Sequence, residues 1–328
     1  AKAYTEKMIE RFGIGAHSRV IEIGSNDGYL LQYFVQKGVP ALGIEPAANI
    51  AKVARERGID TLTRFFGVAT AGSVAAERGR ADLLIGNNVL AHVPDINDFS
   101  NGLKVLLAPR GVITMEFPHL VRLMEENQFD TIYHEHFSYL SLVTVEKIFS
   151  NHGLVIFDVE ELATHGGSLR IYARHDRDDT KPVDERVTRL RIAELSFGLT
   201  DLATYRSFDE KVKQSKRSLL TFLIDAVRNG KSVAGYGAPG KGNTLLNYCG
   251  VRADLLPFTV DRSPHKQGKF LPGTRIPICH PDRIRSARPD FVLILPWNLK
   301  DEIMEQLSYI REWGGQFVVP IPQVQVLP

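Results

Sequence analysis

Along most of this chain, short β-branched runs alternate with longer stretches in which apolar residues return every three or four positions. Such alternation predicts strands separated by amphipathic helices. After a helical entry over residues 3 to 12, the run Arg19-Val-Ile-Glu-Ile-Gly24 reads as a strand closed by glycine, with a helix following to Lys37. The unit recurs as a strand at 41 to 45 with a helix to Arg57, a strand at 61 to 63 with a helix to Arg78, and a strand at 81 to 85 with a helix to Leu107. A fifth strand is expected at 111 to 117. Right-handed crossovers place each helix over the sheet, so the pattern specifies a parallel, doubly wound α/β sheet of the Rossmann-like kind.

The rhythm then changes. A polar helix is expected near 119 to 127 and another from about Val143 to His152, followed by strands at 155 to 161 and 168 to 173 that suit an antiparallel edge. The stretch His175-Asp-Arg-Asp-Asp-Thr-Lys-Pro182 is charged, has almost nothing to bury, and marks the expected seam. Residues 185 to 229 read as charged amphipathic helices, and a second alternating series follows with strands at 232 to 237, 258 to 261, 291 to 295 and 316 to 320. The expected organisation is a first domain over 1–178, a helical connection over 179–230 and a second, smaller Rossmann-like α/β domain over 231–328.

Composition narrows the classes of function. With 328 residues, 44% hydrophobic and 24% charged, the chain is long enough for two packed domains and too ordinary for disordered or fibrous architecture. Lys plus Arg (40) nearly balances Asp plus Glu (38), so no broad basic face is expected for nucleic acid or an anionic membrane. Cys249 and Cys279 are too few for a disulfide framework or a four-thiolate zinc site, and a reducing cytoplasm fits best. No run approaches the roughly 18 apolar residues of a membrane span. Residue 1 is Ala with no basic-then-apolar leader after it, so export is not expected of the sequence as written.

The first candidate site follows the first strand, in Glu22-Ile-Gly24-Ser-Asn26-Asp27-Gly28. Glycines there permit a sharp turn and close approach of a ligand to the backbone. The spacing is not G-x-G-x-x-G, so the dinucleotide fingerprint fails. Glu45 ends the second strand, where a carboxylate accepts both hydroxyls of a ribose. Asn87 and Asn88 follow the fourth strand in the crevice where open α/β sheets bind ligands, and Phe66, with Phe65 before it, is placed to flank an adenine. An ordinary turn with a solvated strand end is the bland alternative. The turn and the acidic strand end resemble the S-adenosylmethionine site of class I methyltransferases.

The densest chemistry is Tyr133-His134-Glu135-His136-Phe137. Such a run either faces water or lines a polar cavity, because ionised Glu and charged His are expensive to bury unpaired. His136 is a candidate general base, since imidazole titrates near neutral pH, and Glu135 is placed to orient it. His92, ending the fourth strand, points to the same crevice in this fold. Metal is not expected: H-E-x-x-H is absent and no third ligand stands at a defined spacing.

Two further strings carry glycine beside polar groups. His165-Gly166-Gly167-Ser168-Leu-Arg170 lies near the expected seam, where glycines permit close approach to a ligand. Gly235-Tyr236-Gly237-Ala-Pro-Gly240-Lys241-Gly242-Asn243-Thr244 follows a strand and opens a helix, which matches G-x-G-x-x-G. Gly242 stands where a P-loop needs Ser or Thr for magnesium, so NTP hydrolysis is disfavoured. Backbone N–H groups beside Lys241 suit a diphosphate, Asp261 ends the next strand, and Lys266 lies in a polar loop within reach. On fold alone this loop would hold NAD and make the protein an oxidoreductase.

In their order along the chain, the cofactor turn, His92, Y-H-E-H-F, H-G-G-S-L-R and the G-x-G-A-P-x-K-G-N-T-type loop are similar to the C-methyltransferases that act on nucleotide-linked ketosugars. The resemblance implies S-adenosylmethionine as methyl donor, with S-adenosylhomocysteine as product, and a dTDP-4-keto-deoxysugar held between the two domains. It further implies that His136 removes the proton beside the ketone, that Glu135 supports it, and that Tyr133 and His92 attend the keto or enolate oxygen. His165, Gly166, Ser168, Tyr236, Gly237, Lys241, Asn243, Asp261 and Lys266 become the expected substrate contacts. Members of the family usually begin with a cysteine-rich zinc domain, and no such cysteines stand in this sequence. A non-catalytic nucleotide-sugar binding protein is a third expectation, and the sequence sets neither the sugar nor the oligomeric state.

Overall fold

The computed structural model describes all 328 residues. Helix Lys2–Phe12 (α1) stops at Gly13, whose φ of 63° lets its N–H close on the Ile9 carbonyl. Strand Val20–Ile23 (β1) is buried throughout, as a strand covered on both faces must be. Helix Leu31–Gln36 (α2), strand Ala41–Ile44 (β2), helix Ala48–Glu56 (α3), the short strand Thr61–Leu62 (β3) and helix Val68–Arg78 (α4) continue the alternation. Strand Ala81–Asn87 (β4), helix Ile96–Leu106 (α5) and strand Leu107–Pro118 (β5) complete its parallel part. The fifth strand begins where α5 ends, earlier than its apolar core at 111 to 117 implies.

Helix Leu120–Glu125 (α6), expected to be polar, buries Val121, Leu123 and Met124. Helix Leu142–Asn151 (α7), strands Leu154–Leu162 (β6) and Ser168–His175 (β7), and helix Glu185–Phe197 (α8) follow. The first sheet runs β3-β2-β1-β4-β5-β7-β6. β7 is antiparallel to both β5 and β6, so the expected antiparallel edge is present with β6 at the rim.

Helix Leu202–Arg228 (α9) starts at Asp201, whose carboxylate accepts the Ala203 N–H. Then come strand Val233–Tyr236 (β8), helix Gly240–Cys249 (α10), strands Thr259–Val260 (β9) and Ile278–Cys279 (β10), helix Asp282–Ala287 (α11), strand Phe291–Ile294 (β11), helix Lys300–Gln306 (α12), and strands Gln316–Val319 (β12) and Gln325–Leu327 (β13). They form a second sheet in the order β10-β9-β8-β11-β12-β13, parallel except for β13. No helix is long and apolar enough to cross a membrane.

The chain divides into two compact units, 1–120 with 135–197 and 121–134 with 198–328. The division does not fall at the charged stretch 175 to 182, and the expected connection over 179–230 is not a separate element. α8 stays with the first unit because it buries Val187 in that unit's core and Glu194 beneath α7. Glu194 is 1% exposed and accepts the N–H groups of Leu142 (2.7 Å) and Val143 (2.9 Å) and Nε2 of His119 (2.8 Å). It thus satisfies the open N-terminus of α7 from a neighbouring helix. Segment 121–134 joins the second unit, where Phe129 enters the core and Asp130, fully buried, accepts the Trp297 indole N–H at 2.7 Å.

Glu194→Ala leaves buried donors unmet and should cost about 3 kcal/mol, seen as a lowered midpoint of chemical unfolding, with Glu194→Gln losing less. Burial pushes the Asp130 carboxyl up to about 6, although the Trp297 N–H and Lys241 oppose it. An unfolded Asp titrates near about 4, so the native chain binds more protons between there and about 6, and this contribution is lost as pH rises through that window. Asp130→Asn should therefore flatten the pH dependence of the second unit's melting temperature between about pH 4 and 7, as scanning calorimetry would show.

Candidate active site

The carboxyl ends of β1, β2 and β4 meet at the turn Gly24-Ser25-Asn26-Asp27-Gly28, where β1 separates β2 from β4 in the sheet. Gly24, Asn26 and Gly28 have φ of 65°, 55° and 78°, conformations that favour Gly and Asn. The glycines have a second reason that differs from ligand approach. A Cβ on Gly24 would come within 2.6 Å of Val89, and one on Gly28 within 2.8 Å of Ile59. Glu45 braces the turn by accepting the N–H groups of Asn26 (3.0 Å) and Ala47 (2.9 Å).

Glu22 Oε2, Asn87 Oδ1 and Asn88 Oδ1 are buried acceptors with no donor. Burial, with Glu45 nearby, raises the Glu22 carboxyl well above the ordinary carboxylate range. Buried polar atoms are nearly always paired in folded proteins, so three orphan acceptors at one strand crevice call for a ligand rich in N–H groups or positive charge. S-adenosylmethionine brings an ammonium, a sulfonium, ribose hydroxyls and an adenine amine, and these residues fit it. Phe66 packs edge-on against Phe99 at 5.2 Å as part of the core beside α5. Phe65, its neighbour in sequence, is 83% exposed.

The two histidines singled out by sequence meet in the first unit. His92 ends a short turn after β4, and its ring lies 4.8 Å from that of His136, centroid to centroid. The N–H groups of Phe137 (2.8 Å) and Ser138 (3.2 Å) donate to the Ala91 carbonyl and so fix the segment beside His92. Burial and then the nearness of His136 lower the His92 pKa, against the opposing pull of the Glu135 carbonyl that accepts from its ring. Glu135 is thus tied to His92. Tyr139, which sequence reasoning passed over, sets its ring 5.8 Å from His136. The chain passes from the second unit to the first between His134 and Glu135, so Tyr133 belongs to the second unit, beside Gly240.

His165 sits in the first unit at φ 57°, with Nε2 3.2 Å from the Asn88 amide nitrogen. It therefore belongs to the crevice at the end of β4. Ser168 donates to the Thr164 carbonyl at 3.0 Å and is a brace of the turn that holds His165 and Gly166. No group of three or more His, Cys, Asp or Glu side chains is placed to hold a metal ion.

In the second unit, the loop before α10 is built by residues expected to touch substrate. Asp261 accepts the N–H groups of Ala238 and Ser263, each at 2.8 Å, and Lys266 donates to the Ala238 carbonyl at 3.0 Å. Tyr236 is a core residue of β8 with its hydroxyl on Gln306, not a residue displayed by the loop. A Cβ on Gly237 would meet Pro296 at 2.6 Å. Lys241 donates to Asn298 at 2.6 Å and stands 4.4 Å from the Trp297 ring centre, while Asn243 Oδ1 is buried without a donor. The open N–H groups that start α10, beside Lys241, suit a phosphate. Asp130, beneath this corner, carried no signal in sequence.

Comparison with known proteins gives two family matches along the chain. Residues 2–159 match the model of a methyltransferase domain, and residues 163–322 match that of a C-methyltransferase C-terminal domain. C-methyltransferase NovU of Streptomyces niveus is 40% identical over 319 residues, covering 97% of this chain and 76% of NovU. A ubiquinone biosynthesis O-methyltransferase of Bartonella tribocorum is 26% identical over 96 residues, covering 29% of this chain and 39% of its own. Magnesium protoporphyrin IX methyltransferase of Synechocystis PCC 6803, solved with bound SAH, aligns at a TM-score of 0.42 and 14% identity over 52% of this chain and 80% of that one. The long match to NovU decides against a nicotinamide-linked oxidoreductase. With a class I, doubly wound first unit and a second Rossmann-like unit, this chain belongs to the S-adenosylmethionine-dependent C-methyltransferases.

Proposed function

We propose that the chain methylates the carbon next to the ketone of a nucleotide-linked 4-keto-deoxysugar, with His136 as the base. The observation that supports this reading most is the His92–His136 ring pair at 4.8 Å, in the same unit as the crevice of orphan acceptors. A carbon attacks a methyl group only once it carries charge, and a neighbouring ketone makes its proton removable by spreading that charge onto oxygen. Bound S-adenosylmethionine supplies an electrophilic methyl carbon that needs only in-line placement.

The residues divide the remaining work. His136 takes the proton, a role worth about 10²- to 10⁴-fold. His92 uses one ring N–H on the Glu135 carbonyl, so while neutral it offers the other nitrogen only as an acceptor. This assignment modifies the role expected of His92: burial and the nearness of His136 lower its pKa, and it stands beside the base as an orienting ring. Within the second unit, Lys241 and the start of α10 suit a diphosphate such as that of a nucleotide.

His136→Asn should abolish turnover of a dTDP-4-keto-deoxysugar and the solvent deuterium exchange at its carbon next to the ketone, while calorimetry finds S-adenosylmethionine affinity nearly unchanged. A variant that keeps more than roughly a tenth of the rate removes His136 from the role. Glu22 gives a second expectation. Burial raises its pKa and a bound cation would lower it again, so donor binding should release protons and strengthen as pH rises. Titrations in buffers of different ionisation heat would read that release, and Glu22→Gln should remove it.

A further inference from the structure

We propose that Glu116 is a positioning residue that fixes the His165 imidazole against Asn88 in the crevice of the first unit. The proposal rests on reading that crevice as the methyl-donor site. Glu116 pairs in register with Asn87 on one side and Arg170 on the other, and its carbonyl accepts the Asn88 N–H at 2.8 Å. Its side chain is buried. One carboxylate oxygen accepts the Thr164 hydroxyl at 2.9 Å and the other accepts Arg170 Nη2 at 2.6 Å.

Those two partners flank the turn that carries His165. The turn is also tied by the Ser168 hydroxyl on the Thr164 carbonyl and by the His119 N–H on the Gly167 carbonyl at 3.1 Å. Arg170 has little freedom of its own, since it lies 4.8 Å over the Tyr4 ring and 3.5 Å from Glu160. Asn88 and His165 both hold left-handed backbones, at φ of 55° and 57°, and neither is glycine. Such conformations persist only where surrounding bonds over-determine them, and they concentrate at functional sites. Here the two strained residues face each other, and Glu116 bonds the backbone of one and the anchors of the other. A turn serving connection alone would be met by glycine at 165 as it is at 166 and 167.

The amide of Asn88 donates to His165 Nε2, which leaves the proton of a neutral His165 on Nδ1. The bond therefore sets both the place and the tautomer of the ring that borders the donor.

The test uses the full chain with ¹⁵N-labelled histidine. Ligand-free protein should show His165 as the single Nδ1–H tautomer. Thr164→Val and Glu116→Gln should shift it toward a tautomer mixture, and Thr164→Ser should keep the original signal. For methyl transfer, Thr164→Val and His165→Asn should each lower kcat roughly tenfold, and the double variant should lose no more than either, as coupled residues do. Losses that multiply, or His165 signals unmoved by Thr164→Val and Glu116→Gln, overturn the proposal. If Glu116→Gln fails to fold, Thr164→Val alone decides it. The spectroscopic arm needs no acceptor substrate, so a chain that methylates no ketosugar would defeat the proposed function and leave this test standing.

Discussion

A surplus of buried acceptors governs the first unit. Glu22 Oε2, Asn87 Oδ1 and Asn88 Oδ1 lose their water on folding and find no donor in the protein. Each such atom costs about 1–3 kcal/mol, which sequence change would readily remove if stability alone mattered, for example by an apolar residue at the buried position 22. The features around them serve to hold this arrangement. Glu45 ties down the glycine turn, Val89 and Ile59 fill the space that side chains at Gly24 and Gly28 would take, and Glu116 holds the backbone of Asn88. A cationic, N–H-bearing ligand bound at these atoms would return the energy withheld from folding.

The same edge of the sheet explains what was legible beforehand. Short-range signals read well: β-branched runs, a glycine directly after β1, an acidic residue directly after β2, and paired asparagines ending β4 all declare themselves within a few residues. The rims of the second sheet read poorly. β10 and β13 are two and three residues long, too short for any period to show. The boundary between units was misplaced because a charged stretch reports exposure of a loop, whereas unit membership is decided by single buried side chains such as Val187, Glu194 and Phe129 in otherwise polar segments.

Site residues divide along the same line. His92 and His136 were found because imidazole is chemically conspicuous at a strand end or in a polar run. Glu116, Asp130 and Tyr139 were not, because a lone carboxylate or tyrosine acquires meaning only from distant partners: Thr164 and Arg170, Trp297, and His136. Adjacent aromatics carry a further ambiguity. Phe65 and Phe66 are alike in sequence, and only the position of Phe99 decides which one is core. Tyr236 shows the converse, since a strand position just before a glycine loop faces the core as readily as the ligand.

Carbon methylation also explains why two histidines should stand together rather than one. Oxygen already carries lone pairs, so an O-methyltransferase needs one base or none, whereas carbon must first be made an enolate. The base therefore has to be unprotonated when substrate arrives and must accept a proton held by a weak carbon acid. The His92 ring stands 4.8 Å from that of His136, and its burial and that nearness lower the His92 pKa, while its bond to the Glu135 carbonyl holds the ring in place. A pair so arranged would keep one ring aimed beside the other, as removal of a proton from carbon requires and attack by oxygen does not.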